Sequence, residues 1–161
     1  MTTVLALALL LAADPTPPAP PAVIPATSAR FFALRLRPGQ DLRKSLEAVA
    51  KEQGLRAGFV VTTVGSLRRA ALRLADRPEP TVFEGRFEIV SLVGTLSAEG
   101  GMHLHASISD GTGRTIGGHL AEGCEVYTTA EIVLGEAQGL EFVREPDTQT
   151  GYKELVVRKA R

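Results

Sequence analysis

Three histidines, the only ones in the 161-residue chain, fall within seventeen positions: His103, His105 and His119. Neutral imidazoles that converge on one point make a first-row transition-metal site, with zinc the default and iron, nickel or manganese as alternatives. Three ligands leave a coordination position open for water or a small ligand. The plainer alternative is a solvated sheet face that carries the three rings and binds nothing.

Convergence depends on how the backbone folds between them. Met102 to Ser109 alternates, with Leu104, Ala106 and Ile108 on one side and His103, His105, Ser107 and Ser109 on the other, which reads as a strand. Asp110-Gly111-Thr112-Gly113 is turn chemistry, and Arg114 to Leu120 returns as the partner strand. A four-residue loop pairing Ser109 with Arg114 sets His119 opposite Leu104, on the wrong face. A three-residue loop pairing Asp110 with Arg114 sets it opposite His105, and a bulge at Gly117-Gly118 has the same effect. The metal reading therefore requires an odd loop or a glycine bulge.

Other side chains are candidates for supporting roles. Cys124, the only cysteine, is near enough in sequence for a fourth ligand, or else is a small buried residue of a turn. Glu125 to Leu134 alternates as a further strand. If that strand borders the hairpin, Glu131 is a candidate metal ligand, orienter of a histidine or general base, against the alternative of a solvent-facing carboxylate. No Ser-His-Asp or Cys-His set can be assembled without taking a histidine from the proposed site, so the catalytic residues are otherwise unassigned.

The elements that must position this hairpin read as follows. Val4 to Ala13 is an apolar run of signal-peptide length, too short to span a bilayer, so residues 1–13 are expected to direct export to a periplasmic or external space; a cytoplasmic chain is the alternative. Residues 14–29 hold six of the ten prolines and read as an extended linker. A single domain is expected over 30–161. Phe31 to Arg37 is a first strand, with Phe32, Leu34 and Leu36 on one face. Asp41 caps a helix with an apolar stripe of Leu42, Leu46, Val49 and Ala50, closed by Gly54. Gly58 to Val64 is a buried strand ending at Gly65-Ser66, and Ala70 to Ala75 is a further short one. Pro78 and Pro80 limit Thr81 to Glu84 to an edge piece. Arg86 to Ser97 is the longest strand, with Phe87, Ile89 and Val93 on one face and Val90, Leu92 and Leu96 on the other. Apolar residues on both sides predict a central strand or a surface covered by another subunit. Arg86 and Glu88 either pair across such a boundary or sit at a wet strand end. Leu140 to Arg144 and Lys153 to Arg158 close the chain as two short strands.

Several of these stretches together resemble one family. Gly100-Gly101-Met102-His103-Leu104-His105, Gly117-Gly118-His119-Leu120, Val126-Tyr127-Thr128-Thr129-Ala130-Glu131 and the upstream Gly85-Arg86-Phe87-Glu88-Ile89 are similar to the plant and prokaryote conserved (PPC, or PCC) domain, from about Arg30 to Lys159. The resemblance implies an α+β fold, mainly a twisted antiparallel sheet with one main helix on one face. It also implies a homotrimer, with Arg86, Phe87 and Glu88 as candidate interface residues. In prokaryotic members it implies a metal on three histidines, carried here onto His103, His105 and His119. Plant members add an AT-hook for the DNA minor groove, a segment not seen in this sequence.

Charge argues in the same direction. Lys plus Arg and Asp plus Glu are 18 each, so no net field draws the chain to nucleic acid or an anionic membrane. The expectation is a trimeric, three-histidine metal protein, with zinc as the first candidate and a small molecule at the open position. A metal-free assembly module is the first alternative, and a DNA-binding protein, by analogy with plant relatives, the second.

Overall fold

The computed structural model describes residues 23–26 and 28–160. The expected signal segment at 1–13 and most of the proline-rich stretch lie outside them. The chain runs β1 (Ser28–Leu36), α1 (Leu42–Glu52), β2 (Gly58–Arg73), β3 (Thr81–Ser97), β4 (Gly101–Ser109), β5 (Thr115–Leu120), β6 (Glu125–Gln138), β7 (Leu140–Pro146) and β8 (Lys153–Lys159). Six strands form an antiparallel sheet ordered β1-β6-β2-β3-β4-β5, and β5 also pairs with the end of β2. The sheet thus rolls up and closes on itself through β2, β3, β4 and β5. A separate β7-β8 hairpin completes the fold.

Alternation decides which face goes inside. Phe32, Leu34 and Leu36 of β1 turn inward as expected, as do Leu104, Ala106 and Ile108 of β4 and Val126, Ala130, Ile132 and Leu134 of β6. Asp41 caps α1 by accepting from the Lys44 amide at 2.9 Å, and its other oxygen accepts from the Gly123 amide at 2.6 Å. That second bond ties the helix start to the turn before β6. Leu42 and Leu46 of α1 are fully buried, each contributing about 2 kcal/mol of apolar burial.

Three strand expectations need correction. β2 is one 16-residue strand, not two, because Gly65 (φ +149°) lets it bend without breaking: a side chain there would meet the backbone of Thr129 and Ala130. β3 likewise runs unbroken from Thr81, pairing Thr81 to Glu84 with Leu72 to Arg69, since the prolines stay in the preceding turn. Within β3 the faces also change. A bulge between Ile89 and Ser91 shifts the alternation by one, so Ile89, Leu92 and Leu96 are buried while Val90 and Val93 face out.

Candidate metal centre

The β4-β5 hairpin takes the odd loop. Ser109 pairs with Thr115, and the Asp110 amide donates to the Arg114 carbonyl at 3.0 Å, leaving Gly111-Thr112-Gly113 as a three-residue loop. Gly113 supplies the left-handed residue that such a loop needs, at φ +86°. The Asp110 carboxylate accepts from the Thr112 amide and hydroxyl and from the Arg114 amide, at 2.8, 2.6 and 3.1 Å. Those bonds, the Thr112 hydroxyl first, hold its pKa below the ordinary aspartate value.

In this register His105 stands opposite His119. The row continues on both sides, with Val93 of β3 opposite His105 and Arg73 of β2 opposite His119, while His103 stands opposite Thr95. All three rings lie on the outer face, backed by the buried Leu104 and Leu120. Ring centroids are 4.2 Å apart for His105 and His119, 4.9 Å for His103 and His119, and 5.1 Å for His103 and His105. One ligand nitrogen from each ring lies within 4.8 Å of the others, and the Nε2 atoms of His103 and His105 are 3.2 Å apart.

The glycines predicted as a bulge have another use. A Cβ on Gly118 would stand 2.7 Å from the Arg73 carbonyl oxygen, so the bare glycine lets β5 close against β2. Gly94 does the same for β3 and β4: its φ is +132°, and a side chain would strike the His103 carbonyl.

The donor set suits a divalent transition ion. Tetrahedral coordination at ordinary Zn–N lengths separates ligand nitrogens by about 3.3 Å, the spacing of the His103–His105 pair. Burial pushes the His119 pKa down to about 4, with His105, Arg73 and His103 adding to the shift. Burial, then Arg144 and His105, also lowers that of His103. Both imidazoles are therefore neutral at neutral pH, the form that binds metal.

The remaining candidates sit elsewhere. Glu131 is exposed on β6 opposite Arg35 and Val64, because β6 lies between β1 and β2 and does not border the hairpin. Along β2, Val64 is nine residues from Arg73, about 30 Å of strand, so Glu131 does not meet the histidines of its own chain. Cys124 is fully buried. Its thiol donates to the Ala71 carbonyl and accepts from the Ala71 amide, both at 3.3 Å, and burial raises its pKa to about 11. It packs the core and does not join the rings. Arg86 lies over the Tyr127 ring at 4.8 Å, Phe87 packs against the core of its own chain, and Glu88 is exposed opposite Ser66.

Sequence reading missed the wall of this site. An open cleft of about 300 Å³ lies between the hairpin and β7-β8, lined by His103, His105, Val93, Thr95, Arg144, Glu154 and Leu155 among others. The β7-β8 hairpin is docked there by the Ser97 hydroxyl donating to the Phe142 carbonyl at 2.9 Å and by Arg144 Nη2 donating to Thr95 Oγ1 at 3.1 Å.

The family profile of the Plants and Prokaryotes Conserved (PCC) domain matches residues 24–138. A Synechococcus protein (strain JA-3-3Ab) named Bifunctional protein GlmU is 50% identical over 139 residues. The match covers 86% of this chain and 22% of that protein, so the chain spans about a fifth of its curated relative. A hypothetical protein from Salmonella cholerae-suis is similar in structure, with a TM-score of 0.81 and 44% identity over 83% of this chain and 96% of that one. The metal-containing protein AF0104 from Archaeoglobus fulgidus has a TM-score of 0.69 and 27% identity over 84% and 99%.

Proposed function

The chain belongs to the Plants and Prokaryotes Conserved domain family, and from that premise we propose that it holds a divalent transition metal, zinc first, on His103, His105 and His119. The observation that carries this reading is the register His105 opposite His119, which brings all three imidazoles to one face and to within 4.8 Å. Similarity to a structure described as metal-containing supports it. Bound there, the ion would present an open position and act on a small ligand as a Lewis acid. The chain's own part is to hold three imidazoles ready, on strands hydrogen-bonded at both edges.

Elemental analysis of untagged protein is the test. We expect about one ion per chain, and a His119→Ala variant that loses the ion and melts at lower temperature, since an ion bound only to the folded form stabilises it. Protein without stoichiometric metal, with His119→Ala melting as wild type does in chelator-free buffer, would overturn the reading.

We also propose a homotrimer. Its support is the outer face of β1, β6 and β2, where a groove of about 510 Å³ is lined by Ala33, Arg35, Val64 and Glu131 among others. Val64 there is 60% exposed, and Val61 and Val90 are also exposed. Apolar side chains open to water on a sheet face fit a surface that another copy covers.

A further inference from the structure

The metal reading leaves the ligand of the open position unspecified, and the cleft wall supplies its chemistry. We propose that the cleft between the histidines and the β7-β8 hairpin binds a small organic acid, its carboxylate held by Arg144 and a neighbouring hydroxyl or ammonium group held by Glu154. The proposal rests on the metal reading for what the ligand's far end meets, but its two anchoring residues belong to β7 and β8.

Charge is the first argument. Arg144 forms no ion pair among the described residues, a property it shares with several exposed arginines, Arg73 among them, but of these it alone lines the cleft. Its guanidinium is nevertheless held in place: Nη2 donates to Thr95 Oγ1 at 3.1 Å, and Nη1 makes a long 3.5 Å contact with the Lys153 carbonyl. A guanidinium carries five N–H donors, so about three are left for a ligand, in a fork that matches a carboxylate. Arg73, opposite His119, adds a second positive charge to the same face. Two guanidinium groups against one carboxylate leave the surroundings positive even before an ion contributes its own charge. An anion is therefore the species that balances the site.

Glu154 then selects among anions. Its Oε1 accepts from the Thr150 hydroxyl at 3.0 Å, and its carboxylate lines the cleft with Arg144. A phosphate dianion would be repelled by this carboxylate, while an acid carrying a hydroxyl or ammonium donor would satisfy it. Val93 and Leu155 offer apolar cover for a short carbon skeleton, and about 300 Å³ of open cleft limits the ligand to a small molecule.

The experiment uses the full untagged chain loaded with Co(II), whose visible spectrum reports on its coordination sphere. It is titrated with sodium lactate, sodium acetate and inorganic phosphate, with sodium chloride as the ionic-strength control. We expect lactate to move the spectrum saturably and to bind more tightly than acetate or phosphate. Arg144→Gln should weaken lactate about tenfold or more, the loss expected for a charge-assisted bond. Glu154→Gln should bring lactate to the acetate level, and both variants should keep Co(II) affinity and a folded sheet by circular dichroism. Arg144→Lys, which keeps the charge but not the fork, should fall between wild type and Arg144→Gln. Unchanged lactate binding in Arg144→Gln, a preference for phosphate, or a spectrum that no anion moves would overturn the proposal. Failure of the wild type to take up Co(II) would instead sink the metal reading. The acid site is then decided by NMR on the metal-free chain: lactate-induced shifts at His103 and Leu155 that vanish in Arg144→Gln uphold it, and their absence in wild type overturns it.

Discussion

Protonation of the His119 imidazole is one contribution to how this protein should respond to acid. In the metal-free chain burial, and then the neighbouring His105, Arg73 and His103, pushes the His119 pKa down to about 4 from the ordinary 6.5. Between those values the unfolded chain takes up a proton that the folded chain refuses. Stability is therefore unaffected above about pH 6.5, falls as pH drops from there toward about 4, and levels off below. Thermal melts of metal-free wild type and His119→Asn across that range should diverge, with wild type losing more stability on acidification. Parallel curves would mean that the residue is solvated as an ordinary surface histidine. Cys124, in the turn before β6, shifts in the opposite sense: burial keeps its thiol protonated, and its two bonds to Ala71 make it a packing residue.

At the scale of elements, the β4-β5 hairpin depends on its loop count and on two glycines. Insertion of one glycine between Thr112 and Gly113 should convert the loop to four residues and turn His119 to the other face, abolishing metal uptake while β2, β3 and β6 keep their pairing. Metal analysis beside circular dichroism checks this; full metal occupancy in the insertion variant would contradict it. Gly118→Ala should cost about 1–3 kcal/mol, because its methyl would stand 2.7 Å from the Arg73 carbonyl oxygen and either β5 or β2 must shift. Chemical denaturation measures that cost, and metal affinity should fall with it. Much of this hairpin was legible in advance. Asp110-Gly111-Thr112-Gly113 carries its turn chemistry in its side chains, and the alternation from Leu104 to Ile108 fixes the histidine face. The bulge at Val90-Ser91 was not, since neither residue has a backbone preference that marks it and the shift is set by pairing with β4. The sequence leaves Glu131 between a site role and a solvent-facing one for a related reason. Its alternation gives a face but not a neighbour, and sheet order is decided by contacts far apart in the chain. Arg144 and Glu154, some forty and fifty residues after His103, carry no local signal of the cleft they line.

For the whole molecule, assembly is the open quantity that a single measurement decides. Light scattering on the untagged chain at micromolar concentration should give three times the chain mass. Val64→Asp, on the exposed face between β3 and β6, should shift it to the mass of one chain with the helix and sheet intact by circular dichroism. A monomeric wild type would remove the homotrimer. Nothing in the balanced charge, 18 against 18, favours association by long-range electrostatics, so any assembly must rest on local contacts such as these valines.

β5 has no free edge beside His119: β4 clasps it on one side, and Leu72 and Arg73 of β2 meet it on the other. A captive ion could not be let go by swinging this ribbon outward like a flap, because both neighbours would have to be torn away first. For an ion held there as proposed, turnover would be governed by its own bonds breaking toward solvent, and its residence time should track imidazole chemistry, not unfolding of the sheet.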